Sequence, residues 1–358
     1  MKAPFVLFLL FFLLASDFTV AQNSQAQKRL GSFLKQYPEA DTNKDGKLTR
    51  EEVDSYRKQL KSAKVSAAKS APKSLIERYT VDDMAEVYEA LEFEGMPYRL
   101  MKPIEFTGGA KIKYPLILSL HGAGGKGTDN KKNLKVWNGV LAEESLRKKH
   151  PCFVVAPQSP VSWRAPNDVP EINKQMIDTF PEPWKKIIES RPNWIKEYPN
   201  GKLQLVFDLL DSLAKQYPID LDRVYVLGHS MGGFGTFEAI AKQPARFAAA
   251  IPSAGGLSPW HDISSMKDIP IWAFHGDQDT TVPIGLTRVV YERMKELNGN
   301  MKFTELGGVR HNANAFAFIY KGDDMSDRFT THLSSDKCDL TSDVWDWLFS
   351  QQRTQTKQ

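Results

Sequence analysis

Cysteine is nearly missing from this chain, with two residues, Cys152 and Cys338, among 358. No C-x-x-C or H-E-x-x-H spacing occurs, so no zinc centre is written in the sequence. Any excess of charge of one sign is also small. A net charge of +4, dispersed along the chain, is too small to argue for nucleic acid. The N-terminal apolar run, Phe5 to Ala15, is too short to span a bilayer, which takes about 18 residues or more. There are no internal repeats.

What is present begins with that short apolar run. Lys2 precedes it, Ser16 and Asp17 interrupt it, and Thr19-Val20-Ala21 offers a small-residue cleavage site. The pattern predicts a cleaved signal peptide over residues 1–21, with an uncleaved anchor as the alternative. No cysteine follows the site, which argues against a bacterial lipid anchor. The expectation is a secreted or periplasmic protein with no membrane partner after cleavage. Export makes a Cys152–Cys338 disulfide permissible. Cys152 opens an apolar strand, however, where a free thiol behaves as a small hydrophobe, and both states stay open.

Asp41-Thr42-Asn43-Lys44-Asp45-Gly46-Lys47-Leu48-Thr49-Arg50-Glu51-Glu52 fills D-x-[DN]-x-[DN]-G-x5-E in full. Calcium needs hard oxygen ligands in a loop that wraps it. Asp41, Asn43 and Asp45 would supply side chains, Lys47 a carbonyl, Thr49 a hydroxyl or a water, and Glu52 two carboxylate oxygens. Leu30, Phe33, Leu34 and Tyr37 make an apolar stripe before the loop, and Val53, Tyr56 and Leu60 one after it. These features predict an EF-hand module over residues 28–60. No second such loop occurs, so the affinity expected is weak, about 0.1–1 mM, suited to a structural or docking role outside the cell. Residues 61–80 read as a linker. Within them, Lys61 to Ser74 holds four lysines and no aromatic or acid.

The most informative stretch is Val224 to Gly233, V-Y-V-L-G-H-S-M-G-G. A strand-forming run leads into Gly228-His229-Ser230-Met231-Gly232, and a helix is predicted over Phe234 to Lys242. This is a nucleophile elbow in its required strand–turn–helix setting. Such a serine needs a base, an acid to orient the base, and donors for an oxyanion. A second glycine-rich turn, His121-Gly122-Ala123-Gly124-Gly125, follows the strand Tyr114 to Leu120. The Ala123 and Met231 N–H groups are the expected oxyanion donors, and His121 reads as structural. The acid should end a later strand. Ile269 to Phe274 ends in His275-Gly276-Asp277-Gln278-Asp279, and Asp279, at the exposed turn, is preferred over Asp277. His275 reads as a strand-end residue. The base should come last, and His311, in the loop after Thr304-Glu305-Leu306, is preferred over His332. The order Ser230, Asp279, His311 is that of the α/β-hydrolase triad.

Residues from about Tyr98 to Phe349 resemble the bacterial secreted α/β-hydrolases labelled predicted peptidases or phospholipase/carboxylesterase-like proteins. These are relatives of dienelactone hydrolases and feruloyl esterases. Tyr98 to Pro103, His121 to Gly125, Gly127 to Asn130, Ala156-Pro157-Gln158, Gly228 to Gly233, and His275-Gly276-x-x-Asp279-x-x-Val282-Pro283 carry the resemblance. It implies the roles given above for Ser230, Asp279, His311, Ala123 and Met231. It leaves the substrate open. One departure is Arg310, where that family usually has glycine before the histidine. An arginine there would restrict the pocket, bind an anionic group, or point to solvent.

The expected fold is therefore an α/β-hydrolase domain over residues 81–352, preceded by the small helical module. Strands are predicted at Leu116–Leu120, Phe153–Pro157, Val224–Gly228, Ala248–Pro252, Ile271–Phe274 and Lys302–Leu306. Their alternation with helices implies a mostly parallel sheet covered on both faces. Glu86–Leu91 and Tyr98–Met101 are predicted as an antiparallel entry edge. About 45 residues separate Gln158 from the helix near Leu203, and they include Trp163, Trp184 and Trp194. An excursion there suits a lid or substrate wall. Trp163, nearest the strand end, and Trp260, after the strand that follows the elbow, are the aromatic subsite candidates, with core capping as the alternative for each. The expected function is a secreted serine hydrolase cleaving small-molecule or polysaccharide-linked esters, with no cofactor for catalysis and Ca2+ in the EF-hand. The alternatives are a serine peptidase of the same fold and a non-catalytic, calcium-dependent binding protein.

Overall fold

A computed structural model describes residues 34, 38–49, 51–52, 55–56, 79–107, 112–163, 172–191 and 201–353. The expected signal peptide, most of the linker, Trp194, and Leu30, Phe33, Tyr37, Val53 and Leu60 lie outside the described residues. The chain divides into two compact units, Met1–Pro72 and Lys73–Gln358.

In the first unit, the acidic loop is organised by its own side chains. Asp41 accepts the N–H groups of Asp45 (3.3 Å) and Gly46 (2.9 Å), and Asn43 Oδ1 accepts the Asp45 N–H at 3.0 Å. Gly46 sits at φ 77°, the sharp bend for which a glycine is needed. Ala40 and Leu48 are buried together, with Leu34 and Tyr56 packed against them.

The second unit is built on a nine-stranded sheet. Its strands are β1 (Glu89–Phe93), β2 (Met96–Met101), β3 (Tyr114–Leu120), β4 (Phe153–Pro157), β5 (Ile219–His229), β6 (Ala249–Ser253), β7 (Ile271–Gly276), β8 (Met301–Leu306) and β9 (Phe329–Leu333). The spatial order is β1-β2-β4-β3-β5-β6-β7-β8-β9. The run from β4 to β8 is parallel, and β1, β2 and β9 are antiparallel additions at the two ends. The helices are α1 (Val81–Val87), α2 (Val136–Ala142), α3 (Glu144–Lys149), α4 (Lys174–Asp178), α5 (Glu182–Ser190), α6 (Leu203–Gln216), α7 (Met231–Lys242), α8 (Gly285–Glu296), α9 (Asn314–Ala317) and α10 (Val344–Ser350).

The period of two in a strand assigns side chains to the two faces. In β5, Val224 and Val226 join one core with Leu116, Leu118 and Leu120 of β3, while Tyr225 and Leu227 join the other with Ile117. The central strands are therefore buried on both faces, as a parallel sheet requires.

The six predicted strands of the parallel core are present, each extended by a residue or more or shifted by one, except β4, which matches end to end. Two expectations are corrected, and one strand is added. The entry edge begins at Glu89, because Glu86 and Val87 belong to α1. A reciprocal cap between Thr80 and Asp83 starts that helix and carries the chain past them. The expected linker over 61–80 ends before Tyr79, which packs against Gly139 and hydrogen-bonds Glu143. Finally, β9 was not anticipated. It pairs with β8 on the sheet's edge, and its polar sequence hides it.

The chain steps outward from β3 to β4 and then returns to lay β5 on the other side of β3. At such a reversal the loops leaving neighbouring strands diverge, and a crevice opens at the carboxyl ends of the strands. The loops after β3 and β5 are the two glycine-rich turns.

Candidate active site

Ser230 follows β5 at φ 58°, ψ −120° and precedes the first residue of α7, Met231. A non-glycine residue at positive φ is strained, and it persists where its surroundings hold it. Here the surroundings are backbone. A Cβ on Gly232 would lie 2.0 Å from Leu120 O, and one on Gly228 would lie 2.6 Å from both Leu120 O and Gly232 O. A Cβ on Gly233 would lie 2.3 Å from Ser253 O of β6, which also accepts the Ser230 N–H at 2.9 Å. The elbow is thus wedged between the ends of β3 and β6, and its glycines are there because backbone occupies the space a side chain would need.

The turn after β3 lies against the elbow. A Cβ on Gly122 would stand 3.6 Å from Ser230 Cβ. Ala123 opens the 3-10 turn Ala123–Gly125, and Met231 opens α7. The first N–H groups of such elements have no partner inside their own helix. His121 shapes this turn. Its Nε2 accepts the Ser159 N–H at 3.1 Å, so its Nδ1–H donates to Gly122 O at 2.8 Å. Burial pushes its imidazole down to about 4, and it stays neutral. Gln158 ties the same turn from the end of β4, donating to Gly125 O at 3.0 Å and to Asp129 at 2.9 Å.

Trp163 is corrected here. It is 1 % exposed, donates its indole N–H to His121 O at 2.8 Å, and packs edge-on against the His121 ring. It props the turn from beneath and lines no open subsite. Trp260 is half-buried and neighbours Phe180 of the excursion. The excursion's described part packs as Phe180, Trp184, Ile187 and Ile188 against Phe234 of α7 and Val282 and Leu286 beyond the acid turn.

Asp279 and His311 converge on the serine. His311 Nε2 is 2.8 Å from Ser230 Oγ, and His311 Nδ1 is 2.7 Å from Asp279 Oδ2. The other carboxylate oxygen accepts the N–H groups of Thr281 (2.8 Å) and Val282 (2.9 Å). Burial of Asp279 opposes its ionisation. The hydrogen bonds from His275, His311 and the Val282 N–H outweigh this and hold the carboxyl well below the usual carboxylate range. Asp277 is exposed and accepts the Gly308 N–H at 2.6 Å, so it braces the histidine loop. His332 lies in β9, away from this relay, and Arg310 is exposed to solvent.

Two further histidines stand beside the site: His229, within the elbow motif, and His275, which the sequence reads as a strand-end residue. His229 Nδ1 is 3.1 Å from Ser253 Oγ, and its ring lies 5.0 Å from that of His311. Burial and the neighbouring His311 push it down to about 3. His275 is wholly buried beneath Asp279, with Nε2 2.8 Å from Val282 O and 3.4 Å from Asp279 Oδ2. Its Nδ1 is 2.7 Å from Thr287 Oγ1. Its place just before Gly276-Asp277, on a strand, was the only sequence signal that it could reach the acid.

With a hydroxyl, an imidazole and a carboxylate aligned in one relay, the chain can be set beside known proteins. Residues 108–318 match the family model described as Phospholipase/Carboxylesterase. The chain belongs to the phospholipase/carboxylesterase family. The match covers the elbow, the acid turn and the histidine loop of this family member. Its structure is similar to that of a thermostable esterase, with 30% identity and a TM-score of 0.56 over 75% of this chain and 64% of that one. A bifunctional acetylxylan esterase/xylanase of Neocallimastix patriciarum is 28% identical over 138 residues, which is 35% of this chain and 20% of that protein. The cutinase est1 of Thermobifida alba is 34% identical over 95 residues, covering 26% of this chain and 30% of that protein. The chain thus spans less than two thirds of the length of each of these relatives. Both cysteines are buried and free, 152 in the core beside β4 and 338 near Ser334.

Proposed function

We propose that this chain is an exported serine hydrolase that cleaves carboxylic esters through an acyl-enzyme. The observation that carries the reading is the continuous relay from Ser230 Oγ through His311 to Asp279. In the first step Ser230 Oγ attacks the ester carbonyl, and its proton passes to His311 Nε2. Asp279 keeps the His311 Nδ1–H in place and balances the imidazolium. The N–H groups of Ala123 and Met231 take the carbonyl oxygen as it gains charge. Collapse of the intermediate expels the alcohol, which leaves with the proton from His311. Water then repeats the sequence on the acyl-serine and frees the acid and Ser230. Esters are preferred over amides because an alkoxide leaves more readily than an amine. The esterase, acetylxylan esterase and cutinase likenesses support small-molecule or polysaccharide-linked esters, with Trp260 as an aromatic wall. An aligned relay has no use in a purely binding scaffold, which disfavours the non-catalytic alternative. A fluorophosphonate probe should label wild type and not Ser230→Ala. The variant's hydrolysis of p-nitrophenyl acetate should fall by on the order of 10³-fold or more. Retention of more than about a tenth of the activity removes Ser230 as nucleophile. Faster turnover of peptide anilides than of esters would favour the peptidase reading.

The N-terminal loop is our proposed calcium site. Its donors are hard oxygens, from Asp41, Asn43, Asp45, the Lys47 carbonyl, Thr49 and Glu52, and its bend at Gly46 suits the ion. Glu52 is held down to about 2 by the N–H and hydroxyl of Thr49 and by Thr42, so it is ionised and ready to bind a cation. Among the described residues no three His, Cys, Asp or Glu side chains already converge as a metal centre. Binding therefore requires Glu52 to exchange its threonine donors for the ion. Calorimetry should find calcium binding near about 0.1–1 mM in wild type and none in Glu52→Ala. Ester turnover should be unchanged by a chelator. Equal affinity in both proteins would dismiss the loop as a site.

A further inference from the structure

The buried histidine under the catalytic acid has too many acceptors around it for one proton. His275 Nε2 lies 2.8 Å from Val282 O, which can only accept. His275 Nδ1 lies 2.7 Å from Thr287 Oγ1. That hydroxyl has one hydrogen, and Gly255 O, 2.8 Å away, can take it only as an acceptor. If Thr287 donates to Gly255 O, its oxygen can only accept from Nδ1. If it donates instead to Nδ1, two bare oxygens face each other at 2.8 Å. A neutral ring therefore leaves one short contact between lone pairs, whichever tautomer it takes. With both ring protons present, every contact becomes a donor–acceptor pair, and the second charge is met by Asp279 Oδ2 at 3.4 Å.

We propose that His275 is a positioning residue held as an imidazolium, so that the acid of the relay lies between two imidazoles, one buried and charged, the other mobile in protonation. The inference rests on Ser230, His311 and Asp279 forming the working relay. Its consequence is electrostatic. A fixed positive charge behind the carboxylate offsets part of the pull that Asp279 exerts on a proton at its other imidazole partner. Glu305, the register partner of His275 on β8, is the other carboxylate beside it, and it is already paired. His229 faces the site from β5 and is neutral. From α8 comes the Thr287 hydroxyl, with Arg288 turned to Glu305 at 2.5 Å. Asp277 is exposed and engaged with the Gly308 N–H.

Two measurements test this. Long-range 15N NMR of the imidazole rings should show both His275 nitrogens protonated at pH 7.5 in wild type and equally in Ser230→Ala. A His275 ring with one bare nitrogen overturns the proposal, whatever becomes of the catalytic reading. Conversely, loss of the nucleophile assignment leaves the NMR result standing and removes only its kinetic meaning. The second measurement is the pH profile of kcat/KM. His275→Gln keeps a neutral donor to Val282 O, and Thr287→Val removes the acceptor that calls for the second proton. In both, the acid limb should move to higher pH by about one unit, the scale of one nearby charge at an effective dielectric of about 20. A purely structural role predicts a lower plateau with the limb unmoved, and that result in both folded variants refutes the proposal.

Discussion

Asp279→Asn is the sharpest test of the relay, because the structure dictates which way the new amide must face. Asp279 Oδ1 accepts two backbone N–H groups, from Thr281 and Val282. An amide NH2 turned toward them would bury donors against donors, at about 1–3 kcal/mol for each bond lost. The asparagine oxygen must therefore stay on that side, and its NH2 must face His311. His311 Nδ1 then becomes the acceptor, and its single proton moves to Nε2. That N–H points at Ser230 Oγ, 2.8 Å away, and a nitrogen that already holds a proton cannot take the serine's. The expected loss in kcat is about 10⁴-fold, or roughly 5 kcal/mol in the barrier. Asp277→Asn is the control. Its side chain is exposed and its oxygen can still accept the Gly308 N–H, so the cost should stay within about tenfold. Initial rates on p-nitrophenyl acetate, with folding checked by circular dichroism, decide the matter. Asp279→Asn retaining more than about a tenth of wild-type rate, or Asp277→Asn proving the slower of the two, would refute the assignment.

The other expectations concern stability. Gly232→Ala forces a methyl to within 2.0 Å of Leu120 O, backbone that cannot move without shifting β3, and should destabilise by at least about 1–3 kcal/mol in chemical denaturation. A midpoint equal to wild type would mean the elbow is looser than drawn. Cys152 and Cys338 should both titrate with a thiol reagent in denaturant without prior reduction, and dithiothreitol should leave Tm unchanged. A fall of several degrees would reveal a bridge.

The parallel core was legible because its physics is local. A strand buried on both faces must be a continuous apolar run, and Leu116–Leu120 and Phe153–Pro157 could hardly be anything else. The edges were less so. Phe329 to Leu333 is polar at its centre because an edge strand needs no apolar run: it is held by backbone pairing with β8 and by a polar contact, Thr331 Oγ1 to Thr304 Oγ1 at 2.8 Å, and neither leaves a mark in composition. Trp163 misled for a related reason. Its nearness to the strand end was read correctly, but whether an indole faces a cleft or supports a loop depends on where its N–H finds a partner, and that partner, His121 O, is a backbone atom 42 residues earlier.

The same reasoning explains the departure at Arg310. The acid turn and the histidine loop are joined by backbone, Asp277 N–H to Leu306 O and Gln278 N–H to Val309 O, and by the Gly308 N–H donating to the Asp277 carboxylate. They approach so closely that a Cβ on Gly276 would lie 2.2 Å from Val309 O and 2.5 Å from Arg310 O. The small residue this junction demands is therefore on the acid side, at Gly276. Arg310 offers its carbonyl to the junction and sends its side chain to solvent, and its φ lies outside the left-handed region that favours glycine. A glycine before His311 is not required by the geometry that carries the relay, whereas Gly276→Ala would push apart the two loops on which Asp279 and His311 stand.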